Sequence, residues 1–228
     1  MQLILDHLST IIIGSMVALS LTASQVRMTQ GRVEQVSAYV VKTKALSLAD
    51  WLERDVVTLG KNLGQDNYRF EYPSYNAEGQ TTDWVFWSDS TLTSTATTRY
   101  YTRYELTQVD SLELEPDAFG QQRYQPLYEA RRYTAAMPVV GGTVSFPSAR
   151  DWVGDGLTVR TLSSFTVQLL MNDGTVAASS ERDEADFIRL QFAMIPELDP
   201  EQAYLSELFW TTTLKVRPFW EQYKTTTI

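Results

Sequence analysis

The amino-terminal quarter of the chain joins an uncharged apolar segment to a periodic, charged segment, and no proline interrupts them. The apolar segment, residues 8–23, holds 16 residues without a charge. The periodic segment extends to Leu63, and the first proline of the chain is Pro73. One continuous helix over residues 3–63 would be roughly 90 Å long at about 1.5 Å per residue. A compact domain cannot enclose a rod of that length, so part of the helix must lie outside the body.

The apolar segment is interpreted as a retained transmembrane helix over about residues 3–24. A spanning helix needs about 20 apolar residues, a length that this segment reaches only when it is counted from Leu3 and includes Asp6. A cleaved signal peptide is an alternative, because Leu21-Thr22-Ala23 is followed by a small serine. The absence of Lys and Arg before the segment, and the helical pattern after it, favour a retained helix. A core helix of a soluble protein is the third alternative.

Apolar residues recur at steps of three and four over residues 33–63, which is typical of an amphipathic helix. Such a helix needs a surface to pack on, and we expect its apolar stripe to face the rest of the chain. The carboxyl-terminal part of this predicted packing face is Leu48, Leu52, Val56, Leu59 and Leu63. Gly64 favours a helix end there, because glycine readily adopts the left-handed conformation. The chain therefore divides into a helical region, 1–64, and a body, 65–228.

The body changes from helical spacing to the alternation of apolar and polar residues that is typical of strands. The candidate strands are residues 68–72, 84–87, 99–106, 112–115, 127–131, 165–171, 176–179, 188–194 and 208–216. Asn172-Asp173-Gly174 predicts a tight turn, because the Asp-Gly dipeptide suits the conformation of hairpin turns. Short turns between successive strands predict an antiparallel sheet that covers the amphipathic helix. The predicted fold class is therefore α+β.

Charge and composition exclude several functions. Residues 65–228 carry 13 Lys+Arg against 23 Asp+Glu, a net charge of −10, and nucleic acid requires basic patches instead. The chain has no cysteine, which excludes disulfides, thiolate zinc sites and a cysteine nucleophile. The single histidine, His7, lies at the edge of the apolar segment, so histidine-based triads and metal sites are not expected in the body. No phosphate- or dinucleotide-binding glycine motif occurs, and we predict neither an enzyme nor a cofactor.

Calcium is the metal for which the body offers most ligands. Asp151, Asp155, Asp183 and Asp186 fall in predicted turns, and Ca²⁺ is bound by such loop carboxylates. Their spacing does not match an EF-hand loop. They are therefore weak calcium candidates, and no metal site is predicted.

The order of these features resembles that of type IV pilin-like proteins, in particular the larger minor pilins and the J-type minor pseudopilins of type II secretion. Trp51-Leu52-Glu53-Arg54-Asp55-Val56 is similar to a segment late in the helix of those subunits. Ala130-Arg131-Arg132-Tyr133 lies where they carry an arginine-bearing strand. Residues 164–174 resemble their hairpin, and residues 186–190 and 209–217 resemble their closing pair of strands. The resemblance spans nearly the whole chain through the order of its motifs.

The resemblance implies a structural subunit of a pilus-like or pseudopilus-like filament. Its helix would be anchored in the inner membrane and would assemble with other pilin-like subunits, while the body would be periplasmic or extracellular. The basic leader, the glycine cleavage site and the typical mature start of the family are not found before Leu8. Asp6 resembles a substitute for the assembly glutamate of the family.

Asp6 is also unusual by its chemistry alone. It is the only acidic residue among the first 33 positions. A carboxylate inside an apolar segment normally persists because it pairs with another group, which in a filament could be the terminal amine of a neighbouring subunit. The alternative is that Asp6 and His7 lie exposed at the headgroup boundary.

A single-pass anchor for an extracytoplasmic binding or adaptor body is the alternative function. Arg27, Arg32, Lys42 and Lys44 follow the apolar segment and no Lys or Arg precedes it. The positive-inside tendency would place this flank in the cytoplasm, whereas a pilin has the opposite orientation. An anchor can be replaced by any spanning helix, and a filament helix cannot, so a helix exchange separates the two functions.

Overall fold

The computed structural model describes residues 2–61, 63, 70–90, 98–114, 116–140, 144–195 and 207–216, without the side chains of residues 2–9, 155–158 and 183. Helix α1 spans Gln2–Thr58. The strands are β1 (Ser74–Tyr75), β2 (Thr81–Asp89), β3 (Thr98–Leu114), β4 (Arg123–Pro138), β5 (Val153–Leu170), β6 (Phe187–Met194) and β7 (Leu208–Lys215). A short 3-10 helix, Ser179–Glu184, precedes β6. The architecture is α+β, as predicted.

The strands form one antiparallel sheet of seven strands in chain order. The sheet is curled into a half-barrel, and side chains at its first edge reach β5. The Tyr75 hydroxyl donates to the Val167 carbonyl at 2.7 Å. The side-chain oxygens of Gln80 and Thr81 accept from the backbone amides of Phe165 and Val167 at 2.7 and 2.8 Å. These bonds close the start of the sheet onto its fifth strand.

The pairing of β5 explains this closure. Its first half pairs with β4, up to Leu162, and its second half pairs with β6 from Leu162 to Leu170. The backbone groups of the second half that would face β4 therefore need other partners, because a buried backbone amide is costly when it is unpaired. The side chains of Tyr75, Gln80 and Thr81 supply these hydrogen-bond partners. Thr161, at the change of partner, has a left-handed φ of 77°.

One face of the sheet packs on the carboxyl-terminal part of α1. Leu48 and Leu52 are fully buried there, and Val56 is 7% exposed. The sheet contributes large apolar side chains to the same core, among them Trp84, Phe86, Tyr104, Phe165, Ile188 and Phe192. Each leucine fully buried in this way stabilises the fold by roughly 1.5–3 kcal/mol. The contact between helix and sheet is thus the main core of the protein.

The opposite face of the sheet carries a second, smaller apolar cluster. It consists of Leu63, Val85, Trp87, Tyr101 and Ala135, with Trp152 partly buried against it. Side chains alternate along a strand, so Trp84 and Phe86 of β2 face the helix while Val85 and Trp87 face away. Strand β2 is therefore buried on both faces.

The helix ends earlier than predicted, at Thr58, and the expected continuation to Leu63 is wrong. The chain turns at Gly60, whose φ of 70° is left-handed and favours glycine. The Gly60 amide donates to the Trp87 carbonyl at 3.0 Å, which ties the turn to β2. Leu59 and Leu63 are buried, at 9% and 4% exposure, but they lie beyond the helix. Gly64, the predicted end signal, lies outside the described residues.

Three predictions about strands and loops also need correction. Residues 99–106 and 112–114 belong to one strand, β3, and Asp155, expected in a loop, lies within β5. Residues 176–179 do not form a strand, because Val176 makes only a single bridge to Leu170 before the 3-10 helix begins. The turn itself is present: the Met171 amide donates to the Thr175 carbonyl at 2.8 Å, and Gly174 has a φ of 85°. The partner of β5 after this turn is β6.

Replacement of Leu52 by alanine is expected to lower the free energy of unfolding by roughly 2–5 kcal/mol, because the change leaves a cavity in the core. The matched control is Leu46→Ala, since Leu46 is 59% exposed on another face of the same helix. The control should change the free energy by less than about 0.5 kcal/mol. Urea unfolding of the full chain in detergent, followed by tryptophan fluorescence, measures both. Equal shifts would contradict the packing of Leu52.

Candidate functional site

The part of α1 that extends away from the sheet is the main candidate for a functional surface. Every residue over 10–36 is exposed except the half-buried Gly31. Ser37, at 6% exposure, is the first buried residue of the helix in the described positions. At about 1.5 Å per residue, the exposed part corresponds to roughly 40 Å of helix. Nearly half of α1 is thus left uncovered by the body.

This exposed part is strongly apolar. Its large exposed apolar side chains include Ile11, Ile12, Ile13, Met16, Val17, Leu19, Leu21, Val26 and Met28. Soluble monomers rarely expose a contiguous apolar surface of this kind. The helix is long and apolar enough to span a membrane, and none of its most apolar window is buried in the body. The alternative of a soluble core helix therefore does not fit this segment.

A narrower apolar seam continues along α1 beyond the length that a bilayer requires. Val26, Thr29, Val33, Val36 and Val40 follow one another at steps of three and four. This is the spacing at which helices pack side by side in left-handed pairs. Val26, Val33 and Val36 are 50%, 44% and 56% exposed. Over residues 26–36 the body buries no described position of the helix, and from residue 37 onward it buries Ser37 and Val41 but leaves Val40 exposed.

Asp6 lies in the second turn of α1, and its side chain is outside the described residues. About 31 helical residues separate Asp6 from Ser37, the first position that the body buries. That separation corresponds to roughly 45 Å at about 1.5 Å per residue. A role of Asp6 in holding the body together is therefore not expected.

A buried ion pair fixes the other end of α1 to the sheet. The Arg132 guanidinium donates from Nε to Asp55 Oδ2 at 2.6 Å and from Nη2 to Asp55 Oδ1 at 2.9 Å. Both side chains are only 9% exposed. The Tyr104 hydroxyl donates to the same Oδ2 at 2.6 Å, and Tyr104 and Arg132 are direct partners across β3 and β4. The Trp51 ring lies 4.9 Å from the guanidinium carbon.

The charges of this cluster are stabilised by their neighbours. Burial acts to lower the pKa of Arg132, but the hydrogen bonds and the charge of Asp55 outweigh it, so that the pKa is raised. Burial and the negative Asp55 raise the pKa of Tyr104, which therefore stays protonated as a donor. Asp55 thus accepts three hydrogen bonds from groups that remain protonated. The arrangement suits a structural tether and leaves no group poised for proton transfer.

Other buried carboxylates are likewise held by arginines. Arg99 donates to both oxygens of Asp89, at 2.7 and 3.0 Å. Glu129 accepts from Arg131 at 2.6 Å and from Arg160 at 3.1 Å. The hydrogen bond from Arg131 lowers the pKa of Glu129 against the opposing effect of burial. These pairs are sites of charge compensation within the sheet.

Asp55 and Arg132 belong to two separate sequence motifs, and nothing in their local spacing pairs them. Asp55 lies three residues after Leu52 and directly before Val56, at the border of the apolar stripe. A carboxylate at that border was the available signal of burial. Its partner, Arg132, lies 77 residues later in the chain, so the local spacing of residues could not identify it.

The four calcium candidates are not brought together. Asp151 and Asp155 lie at the start of β5, whereas Asp183 and Asp186 lie beyond its other end, after the following turn. Asp151 Oδ2 accepts from the amide and the hydroxyl of Ser148, both at 2.7 Å, and these bonds lower its pKa. The described residues contain no group of three or more acidic or histidine side chains that could hold a metal.

Comparison with known proteins assigns no family. No protein-family model matches the chain, and no curated protein or solved structure matches it. What the pilin resemblance and the structure share is the coarse architecture, one long apolar amino-terminal helix on an antiparallel body.

Removal of the Asp55 carboxylate is expected to destabilise the body. Asp55→Ala should lower the free energy of unfolding by roughly 3–5 kcal/mol, because Arg132 would remain buried without its partner. Asp50→Ala is the matched control, since Asp50 is paired with Arg54 but both side chains are more than 60% exposed, at 66% and 63%. The control should change stability by less than about 1 kcal/mol. Denaturant unfolding compares the two, and similar losses would refute the buried tether.

Proposed function

We propose that this protein is a structural subunit that assembles into a pilus-like or pseudopilus-like filament through α1. In this proposal the first part of the helix is embedded in the inner membrane before assembly. The body, attached to the other end of the helix, lies on the periplasmic or extracellular side. Other pilin-like subunits are the partners of the exposed helix.

The observation that carries the proposal is the length of exposed apolar helix. A bilayer needs about 20 apolar residues, whereas the exposed part continues through residues 24–36. A simple anchor has no need for an apolar seam in that second region. Valines 26, 33 and 36 stay exposed there, and neighbouring helices would cover them in a filament.

Asp6 adds a second, chemical argument. In an assembled bundle of helices its carboxylate would lie among apolar side chains, where a charge persists by pairing with an opposite charge. The terminal amine of an adjacent subunit is such a partner. The buried tether between Asp55 and Arg132 contributes differently, because it holds the body at one angle to the helix that carries it.

The single-pass anchor of an extracytoplasmic body is the alternative, and the flanking charges oppose its orientation as much as that of a filament subunit. Four basic residues follow the apolar segment, Arg27, Arg32, Lys42 and Lys44, and none precedes it. Short flanking segments with excess Lys and Arg tend to stay in the cytoplasm. Long domains are nonetheless translocated largely regardless of such charge. Assembly of the helix is therefore the property that must be tested.

Crosslinking from the seam tests assembly directly. A photoreactive amino acid at Val33 should give crosslinked species between subunits in cells that express the assembly system. The same residue at Gln35, about 200° around the helix at 3.6 residues per turn, should give much less. Asp6→Ala should reduce the Val33 crosslinks several-fold without loss of membrane insertion, and Asp6→Glu should keep them because the charge is retained. Equal yields from wild type and Asp6→Ala would favour the simple anchor.

Exchange of the spanning segment gives an independent test. Residues 3–24 are replaced by an unrelated apolar helix of equal length. Membrane insertion and the thermal unfolding of the body should be unchanged, because the body buries none of the residues replaced that the structure describes, 10–24. The Val33 crosslinks should be lost, because the neighbouring helices no longer match. Retention of those crosslinks would show that any anchor suffices.

A further inference from the structure

A groove crosses the face of the sheet that is turned away from α1. Asp83 and Val85 of β2 and Arg103 of β3 line it, and the segments 71–74 and 146–152 form its sides. It encloses about 480 Å³, within the roughly 300–1,000 Å³ of small-molecule sites. The groove is separated from the helix surface by the sheet itself. The proposed assembly of α1 therefore leaves it without a role.

One side of the groove is an aromatic cluster. The ring centroids of Phe146 and Trp152 lie 5.5 and 6.4 Å from that of Tyr101, and 6.3 Å from each other. All three contacts are edge-to-face, an arrangement that favours fixed ring orientations. Tyr101 is buried at 4% exposure, whereas Phe146 is 53% exposed. The cluster is thus anchored in the sheet and presents an apolar ring to the groove.

The floor of the groove is polar, and only some of its polar atoms form hydrogen bonds. Arg103 donates from Nε to Asp83 Oδ1 at 2.8 Å and from Nη2 to Glu105 Oε1 at 3.3 Å. The side chains of Arg103 and Asp83 remain 27% and 36% exposed. Among the described residues, Asp83 Oδ2 and Arg103 Nη1 take part in no hydrogen bond. The Asp83 carboxylate therefore offers an acceptor beside a donor of the Arg103 guanidinium, and the ion pair between the two side chains holds both in place.

We propose that this groove binds a short neutral saccharide. A pyranose ring has an apolar C–H face, which would pack on the half-exposed ring of Phe146. Its hydroxyls are both donors and acceptors, so adjacent hydroxyls would donate to Asp83 and accept from Arg103. Ser74 also lines the groove and adds a polar residue to it. An aromatic side beside a polar floor matches the apolar face and the hydroxyls of a sugar.

Charged ligands match the groove less well. An anion would meet the carboxylates of Glu71 and Asp83, each of which is already paired with an arginine. A cation would meet Arg103, whose guanidinium carbon already lies 5.8 Å from the centroid of the Trp152 ring. That position over the ring is where a ligand cation would gain most. A neutral ligand with adjacent hydroxyls can donate to the carboxylate and accept from the guanidinium, and it is repelled by neither.

Calorimetric titration of the full chain tests the proposal. The protein is kept in a detergent without a sugar headgroup and titrated with maltose, cellobiose and N,N′-diacetylchitobiose. At least one should bind with a dissociation constant in the millimolar range or below. Retention on amylose, cellulose and chitin is measured in parallel. Retention on a polymer without binding of its disaccharide would identify the polysaccharide as the source of the sugar.

Matched variants locate the binding. Phe146→Ala should weaken the affinity at least tenfold, and Asp83→Asn should weaken it several-fold because the acceptor is partly lost. Phe119→Ala is the control, since Phe119 is 89% exposed in the turn between β3 and β4, and it should stay within twofold of wild type. Thermal unfolding verifies that each variant is folded. Absence of binding to every disaccharide and polymer, or equal affinity in Phe146→Ala and wild type, would overturn the proposal.

Discussion

The packing of α1 on the curled sheet depends on one buried ion pair for its geometry. Leu48 and Leu52 supply apolar contact, but apolar burial has no direction and would tolerate a rotated or shifted helix. The two hydrogen bonds from Arg132 to Asp55 do not tolerate such a movement. A shift of the helix by one residue would leave two charges buried without partners. The tyrosine on the neighbouring strand adds a third bond to the same carboxylate. The position of the helix on the sheet is thereby defined.

This constraint determines how the exposed helix is presented. Because residues 37–58 are held by the sheet, the apolar part before them extends from the body at a defined angle. The body buries one stripe of residues 37–58 and covers none of the valines at 26, 33 and 36. A subunit that assembles through its helix needs such an arrangement, since the core of the body must be complete while the assembly surface stays available. In the proposed assembly, the tether would fix the body while the seam contacts neighbouring helices.

The two faces of the sheet are physically separate, and β2 contributes to both. Trp84 and Phe86 point to the helix, while Val85 and Trp87 support the cluster on the other face. The groove with Phe146 and Arg103 rests on that second cluster. Substitutions in the groove should consequently leave the contact between helix and sheet intact. The exposed helix and the proposed ligand groove are compatible because the sheet lies between them.

The sequence alone determined the long helix, its apolar stripe and the antiparallel α+β class, because helical and strand spacing are local properties of the chain. Asp6 and the exposed apolar segment were also recognisable from composition. Only the tertiary structure decided where the helix ends, since the turn at Gly60 is tied by a hydrogen bond to Trp87. It also decided that Val176 begins no strand, because β6 is the partner that β5 takes. The tether joins residues 55 and 132, and the groove is lined by residues that lie between positions 71 and 152 of the chain. Contacts over such distances in the chain depend on the register of several strands, which no local pattern specifies.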